Sequence, residues 1–224
     1  MNEYIRGYHM FLPRAWVKWC VYLLYPLLVS GGLYALYHKL GFYYFICVGF
    51  AGCAIVGVEL MLDGQVFAGI ASKRNCYLEY LKTSVKGMPV LKKALITDAV
   101  RRFCSIAVIL FSLYPMVVNQ GKEQGGRVIL AMTAYVFFMD LLVEAGVLIL
   151  RFFSNVNLIL AAIYVIGMLA FMAGICIQYP VRIWQMLLVA AGAIAVGIAG
   201  RKWILKRVRD SFYDNRMEKM RKAD

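Results

Sequence analysis

The sequence predicts an all-α polytopic membrane protein. It would have six transmembrane helices, an N-terminal interfacial helix, a cytoplasmic amphipathic segment and both termini in the cytoplasm. Three observations lead there. Of the 224 residues, 62% are hydrophobic, whereas soluble domains run nearer about 45–50%. Apolar runs recur at the length of about 20 residues that a helix needs to cross the roughly 30 Å hydrocarbon layer. They are continuous rather than alternating with period two, which selects helices over a closed barrel. The cations, finally, are one-sided. Only Lys39, Lys122, Arg127 and Arg182 of the 25 Lys and Arg residues fall opposite the termini. That bias makes the terminal side cytoplasmic. It also turns the formal charge of +13 into a membrane signal, and nucleic acid is not an expected partner.

Residues 1–14 read as an amphipathic helix for the membrane interface. Tyr4, Ile5, Tyr8, Phe11 and Leu12 share a face, Glu3, Arg6 and His9 lie off it, and Pro13 ends the pattern. The following run is too long for a signal-peptide core and has no small-residue cleavage site. The first span is 16–37, entered through Arg14, Lys18 and Trp19, with Pro26 as a possible kink. A polar turn at His38–Gly41 leads to the second span, 42–62. Gly49, Cys53 and Gly57 repeat there at i, i+4, i+8 as a seam for close helix contact.

The long polar interruption, 73–102, is too charged to cross a membrane and too well patterned for a slack linker. Tyr77, Leu78, Leu81 and Val85 fall on one side of a helix over about 75–86, with Lys82 and Lys86 on the other flank. Gly87 is placed to end that helix and Pro89 to start the next, which continues into the third span, 103–118. Asn119–Arg127 is a loop. The fourth span is 128–150, closed by Arg151, and a short loop leads to the fifth, 156–177. The turn Gln178–Arg182 leads to the sixth, 183–200. There Ala191, Ala195 and Ala199 form one small-residue row and Ala193 and Gly197 another, both expected to pack closely. A basic tail, 201–224, suits anionic headgroups. The whole chain is read as one transmembrane domain of the cell membrane.

Enzymatic signatures are nearly absent from the sequence. His9 and His38 have no metal-ligand spacing, and neither HExxH, GxSxG nor a GxxxxGK[ST] phosphate loop occurs. The six cysteines lack metal spacing and read as small buried hydrophobes rather than disulfides. The chain is therefore expected to be a non-enzyme without cofactor or metal of its own.

The acids within the spans carry more information. Glu59 and Asp63 end the second span, and Asp140 and Glu144 sit in the fourth, each an i, i+4 pair separated by apolar residues. An ionised group at the bilayer centre costs about 2.5–3.5 kcal/mol or more, so such acids must face protein, water or a base. Glu59, Asp63 and Glu144 lie at the depth of Arg101, Arg102 and Arg151, which makes structural ion pairs the expectation. Asp140, near the middle of 128–150, reads equally as a proton or cation relay, a substrate contact or a structural partner.

This layout resembles the permease subunit of an ABC-2-type bacterial exporter, of the small kind found in Gram-positive bacteria. In that family the segment between the second and third spans forms a coupling helix that docks into the ATPase subunit. The resemblance implies that Tyr77, Leu78, Glu79, Leu81, Lys82, Val85, Lys86 and Gly87 bind such a subunit, which would hold the ATP and magnesium. It also implies a second permease copy, identical or a sister chain. Many family members carry re-entrant helices between the last two spans. Here only Gln178–Arg182 joins those spans, a departure that bears on any carry-over of outer-gate mechanics or of polysaccharide and lipid cargo. Two other classes fit the residues: an ion- or proton-coupled transporter or channel using Asp140 and Glu59, and a membrane scaffold subunit that transports nothing.

Overall fold

The computed structural model describes residues 3–9, 19–40, 52, 54–63, 84, 86–115, 125–152 and 182–221. Every regular element among them is helical. These are α1 (Glu3–His9), a π-helical turn (Cys20–Leu24) running into α2 (Tyr25–Leu40), α3 (54–63), α4 (Gly87–Phe111), α5 (Gly125–Phe152) and α6 (Ile183–Arg221). Two stretches among them, Gly125–Leu148 and Ile183–Lys206, are long and apolar enough to cross a membrane, and Tyr22–Ala35 is a shorter apolar helix. Of the six expected spans, 156–177 lies outside the described residues, and 16–37, 42–62 and 103–118 are described only in part.

Pro26 acts at the start of α2. Its ring collides with the carbonyl four residues back and it has no N–H to donate. The chain widens ahead of it into one π turn, where the Tyr25 N–H bonds the Cys20 carbonyl, five residues back. The predicted turn at His38–Gly41 is corrected here, because α2 stays helical through Leu40.

A second correction concerns Gly87. It opens α4 instead of ending a helix: Ser84 is a bend, Lys86 is the N-cap, and the Gly87 N–H closes a turn onto the Ser84 carbonyl at 3.0 Å. Pro89 falls in the first turn, where backbone N–H groups lack intrahelical partners anyway. The first full helical bond follows it directly, from the Val90 N–H to the Lys86 carbonyl at 3.1 Å. From there α4 runs unbroken to Phe111, about 37 Å at 1.5 Å per residue. Ser112 closes it by turning its hydroxyl back onto the Ile109 carbonyl.

Helix α5 begins at Gly125, inside the predicted loop, and α6 is stapled at its start by the Gln185 side chain accepting from the Arg182 N–H at 2.9 Å. The expected basic tail is in fact helical to Arg221, continuous with α6.

Contacts give the relative directions of α4, α5 and α6. Arg102 meets Glu144, and Tyr114 lies beside Gly125, so α4 and α5 are antiparallel. Gly192 faces Leu141 and Gly200 faces Leu148, so α5 and α6 are parallel. One core cluster joins α2, α3, α4 and α5 through Leu33, Ile55, Leu60, Ile106, Ile109, Met132, Met139 and Val143. A second, smaller cluster joins Tyr8 of α1 with Leu91, Ala94 and Leu95 of α4 and with Ile204 and Val208 of α6.

Close packing on α6 is confined to one of the two small-residue rows. Ala193, Gly197 and Gly200 are buried, while Ala191, Ala195 and Ala199 are exposed. At the expected seam of α3, a Cβ added to Gly57 would meet no described atom within 4 Å, and Gly49 and Cys53 lie outside the described residues. Leu187, Leu188, Ile194 and Ile198 on α6, Leu23 and Leu24 on the π turn, and Leu27 and Leu28 on α2 remain exposed. An apolar belt of this kind suits lipid.

Candidate functional site: a buried arginine–carboxylate network

Consecutive arginines on a helix point about 100° apart, so Arg101 and Arg102 reach different neighbours of α4. Arg101 turns to α3. Its Nη2 donates to Glu59 Oε2 at 2.6 Å and its Nη1 to Oε1 at 3.2 Å, a two-point fork. Arg102 bridges α3 and α5, donating from Nη1 to Asp63 Oδ1 at 3.4 Å and from Nη2 to Glu144 Oε1 at 3.0 Å. Asp98, one turn earlier on α4, serves both arginines: Arg101 Nη2 lies 3.2 Å from Oδ1 and Arg102 Nη1 lies 3.0 Å from Oδ2. The Tyr8 hydroxyl completes the set, donating to Asp98 Oδ1 at 2.9 Å. Four helices are thereby tied at one level by groups that are all buried.

Burial opposes the charge of both guanidinium groups, but the surrounding carboxylates outweigh it. Glu59 and Asp98 act on Arg101, and Asp98, Glu144 and Asp63 on Arg102, so both pKa values are raised above the ordinary arginine value. Both stay cationic at any accessible pH. Burial first, and then the Asp98 charge, raise the Tyr8 phenol well above its usual 10.0. It remains a donor.

The structure thus brings Glu59, Asp63 and Glu144 together with Arg101 and Arg102. Arg151 is helical, but its side chain lies outside the described residues. Asp140 sits one turn from Glu144 on α5, and its Oδ1 is buried without a hydrogen-bond partner among the described residues. Arg201, on α6, turns its Nε back to the Gly197 carbonyl at 2.8 Å. Of the expected docking residues, Tyr77, Leu78, Glu79, Leu81, Lys82 and Val85 lie outside the described residues, while Lys86 is exposed and Gly87 buried. Among the described residues no group of three or more His, Cys, Asp or Glu side chains is arranged to hold a metal ion.

Asp98 and Tyr8 belong to the network and were not expected in it. Asp98 had a sequence signal, since it stands at i, i+3 and i, i+4 to the two arginines. Tyr8, 90 residues away in the chain, had none.

The network lies on the path between the segment before Gly87 and the bundle. Residues at the start of α4 pack on α1 and α6, residues in its middle pin α3 and α5, and its last turns enter the main core. Compared with known proteins, the chain matches no family model, no curated protein and no solved structure.

Proposed function

We propose that this chain is the membrane subunit of an ATP-driven exporter of the ABC-2 type. It would be multi-pass in the cell membrane with both termini cytoplasmic, paired with a second permease copy and driven by separate ATPase subunits. One observation carries the reading: α4 is a single continuous helix that begins in the polar segment and is tied to α3 and α5 through Arg101 and Arg102. Closure of the ATPases on ATP pushes the 73–86 segment, and α4 carries that push into the bundle as a lever. The helix directions support the six-span layout. Parallel α5 and α6 are joined through 153–181, a stretch long enough for one return crossing.

The test is co-purification of the ATPase with the wild-type chain, with a deletion of 76–86 and with the charge reversals Lys82→Glu and Lys86→Glu. Loss of the ATPase in the variants is expected. Full retention removes the docking assignment.

Ion coupling is a second reading, supported by the buried, unmatched Oδ1 of Asp140. Glu59 no longer favours it, because both of its carboxylate oxygens accept from Arg101. That reading requires Asp140→Asn to abolish pH-dependent flux while the protein stays folded.

A further inference from the structure

A cavity of about 430 Å³ opens at the start of α4, between α1 and the extension of α6. That volume lies within the roughly 300–1,000 Å³ typical of small-ligand sites. Its walls are apolar, from Met88, Ile96 and Leu205, and its cations are Lys92, Lys93 and Arg209; among the described residues that line it none is a carboxylate. Lys92 and Arg209 are exposed, and Lys93 lies 5.6 Å from the centre of the Tyr4 ring. The Thr97 hydroxyl holds the adjoining backbone by donating to the Tyr4 carbonyl at 3.1 Å. Three cationic residues from two helices thus line one apolar slot.

Depth identifies the ligand class. Trp203 on α6 is 58% exposed, and tryptophan in such a position marks the membrane–water boundary. Arg209 lies six residues farther along the same helix, about 9 Å at 1.5 Å per residue. With Trp203 at that boundary, Arg209 would stand at the level of lipid phosphates. We propose that this cavity binds one anionic phospholipid, its phosphate against Lys92, Lys93 and Arg209 and the upper part of an acyl chain along Met88, Ile96 and Leu205. The lipid bridges α1, α4 and α6 on the cytoplasmic side. The assignment rests on placement in a membrane and not on the exporter reading, so either can fail alone.

The test is native mass spectrometry of the detergent-purified full chain, titrated separately with phosphatidylglycerol, phosphatidylcholine and inorganic phosphate. One phosphatidylglycerol molecule should be retained about tenfold more tightly than phosphatidylcholine. The triple variant Lys92→Gln, Lys93→Gln, Arg209→Gln should lose that preference. Ile96→Trp, which fills the slot and keeps every charge, should lower retention of phosphatidylglycerol. Lys202→Gln with Lys206→Gln, which removes nearby exposed charge outside the cavity, should leave it unchanged. Equal retention of the two lipids, equal loss in the Lys202/Lys206 control, or inorganic phosphate binding as tightly as the lipid would each overturn the proposal. Preference retained by the triple variant would overturn it as well.

Discussion

Arg101 and Glu59 stand 42 residues apart in the chain and meet in a fork of 2.6 and 3.2 Å, with neither side chain more than 4% exposed. A buried pair of this kind adds little over a well-packed apolar pair, but removing one partner strands a charge. Arg101→Ala leaves Glu59 without its fork and Asp98 with one arginine fewer, at a cost of about 3–5 kcal/mol. Arg101→Lys recovers only part, because an ammonium cannot present two parallel donors. The measurement is thermal melting in detergent, combined in a double-mutant cycle with Glu59→Leu. The double variant Arg101→Met, Glu59→Leu should melt well above Arg101→Met alone. Additive losses would show that the two side chains do not depend on each other.

Helix contact between α5 and α6 gives a steric prediction. A Cβ at Gly200 would stand 2.7 and 2.9 Å from the two methyl carbons of Leu148, so that side chain must move. Overpacking of this sort costs about 1–3 kcal/mol. Gly200→Ala should lower the melting temperature, and Leu148→Ala should cost less in that background than in the wild type. Gly31 and Gly32, by contrast, have nothing within 4 Å of an added Cβ. Alanine there should be neutral or stabilise by about 0.4–1 kcal/mol through the unfolded chain. An unchanged melting temperature for Gly200→Ala would mean that α5 and α6 are not in this contact.

The main helices were legible because bilayer-length apolar runs leave few alternatives: the runs at 128–150 and 183–200 lie inside α5 and α6. The tail carries a second signal beside its charge. Its cations suit anionic headgroups, and Ile204 and Val208, one turn apart, are buried against Leu91 and Leu95. That i, i+4 pair was the available signal. Glycine misled at position 87, because Gly87 suits either end of a helix and Pro89 fits the first turn equally well. On α1, Tyr4 and Ile5 were grouped with Tyr8, but they are 42% and 40% exposed while Tyr8 is 1% exposed. The inward side of α1 is the one that packs on α4: Tyr8 joins Leu91, Ala94 and Leu95, and Gly7 is buried beside Val90. No periodicity within α1 could reveal a partner so far along the chain.

Tyr8 makes stability sensitive to alkaline pH. Its phenol is held protonated by burial and by the Asp98 carboxylate, with a pKa above the 10.0 of an unfolded tyrosine. Below about pH 10 both states carry the proton, so this group adds no slope. Above it the unfolded chain loses the proton and the native one does not, so stability falls as pH rises toward the native value. Tyr8→Phe should cost about 1.5–3 kcal/mol near neutral pH for a hydrogen bond to a charged acceptor. It should also flatten the loss between pH 10 and 11, measured as melting temperature against pH. Parallel curves for the two proteins would remove Tyr8 from the alkaline transition.

Asp140 and Glu144 separate by the partners they hold, although both are acids on one face of α5. Glu144 is 7% exposed and accepts from Arg102 at 3.0 Å. Glu144→Gln therefore withdraws a balancing charge from a fully buried guanidinium and should lower the melting temperature clearly. Asp140 offers Oδ1 to no described donor and stands at i, i+4 to Glu144, where like charges repel. Asp140→Asn keeps the shape and removes that repulsion, so its melting temperature should match or exceed the wild type. Measuring both variants beside the Asp140→Asn flux assay divides structure from transport. A stable Asp140→Asn with altered flux places the residue in a pathway, because no ion pair was lost. If it unfolds as readily as Glu144→Gln, Asp140 is one more strut of the arginine network, and the ion-coupled reading loses its last acid.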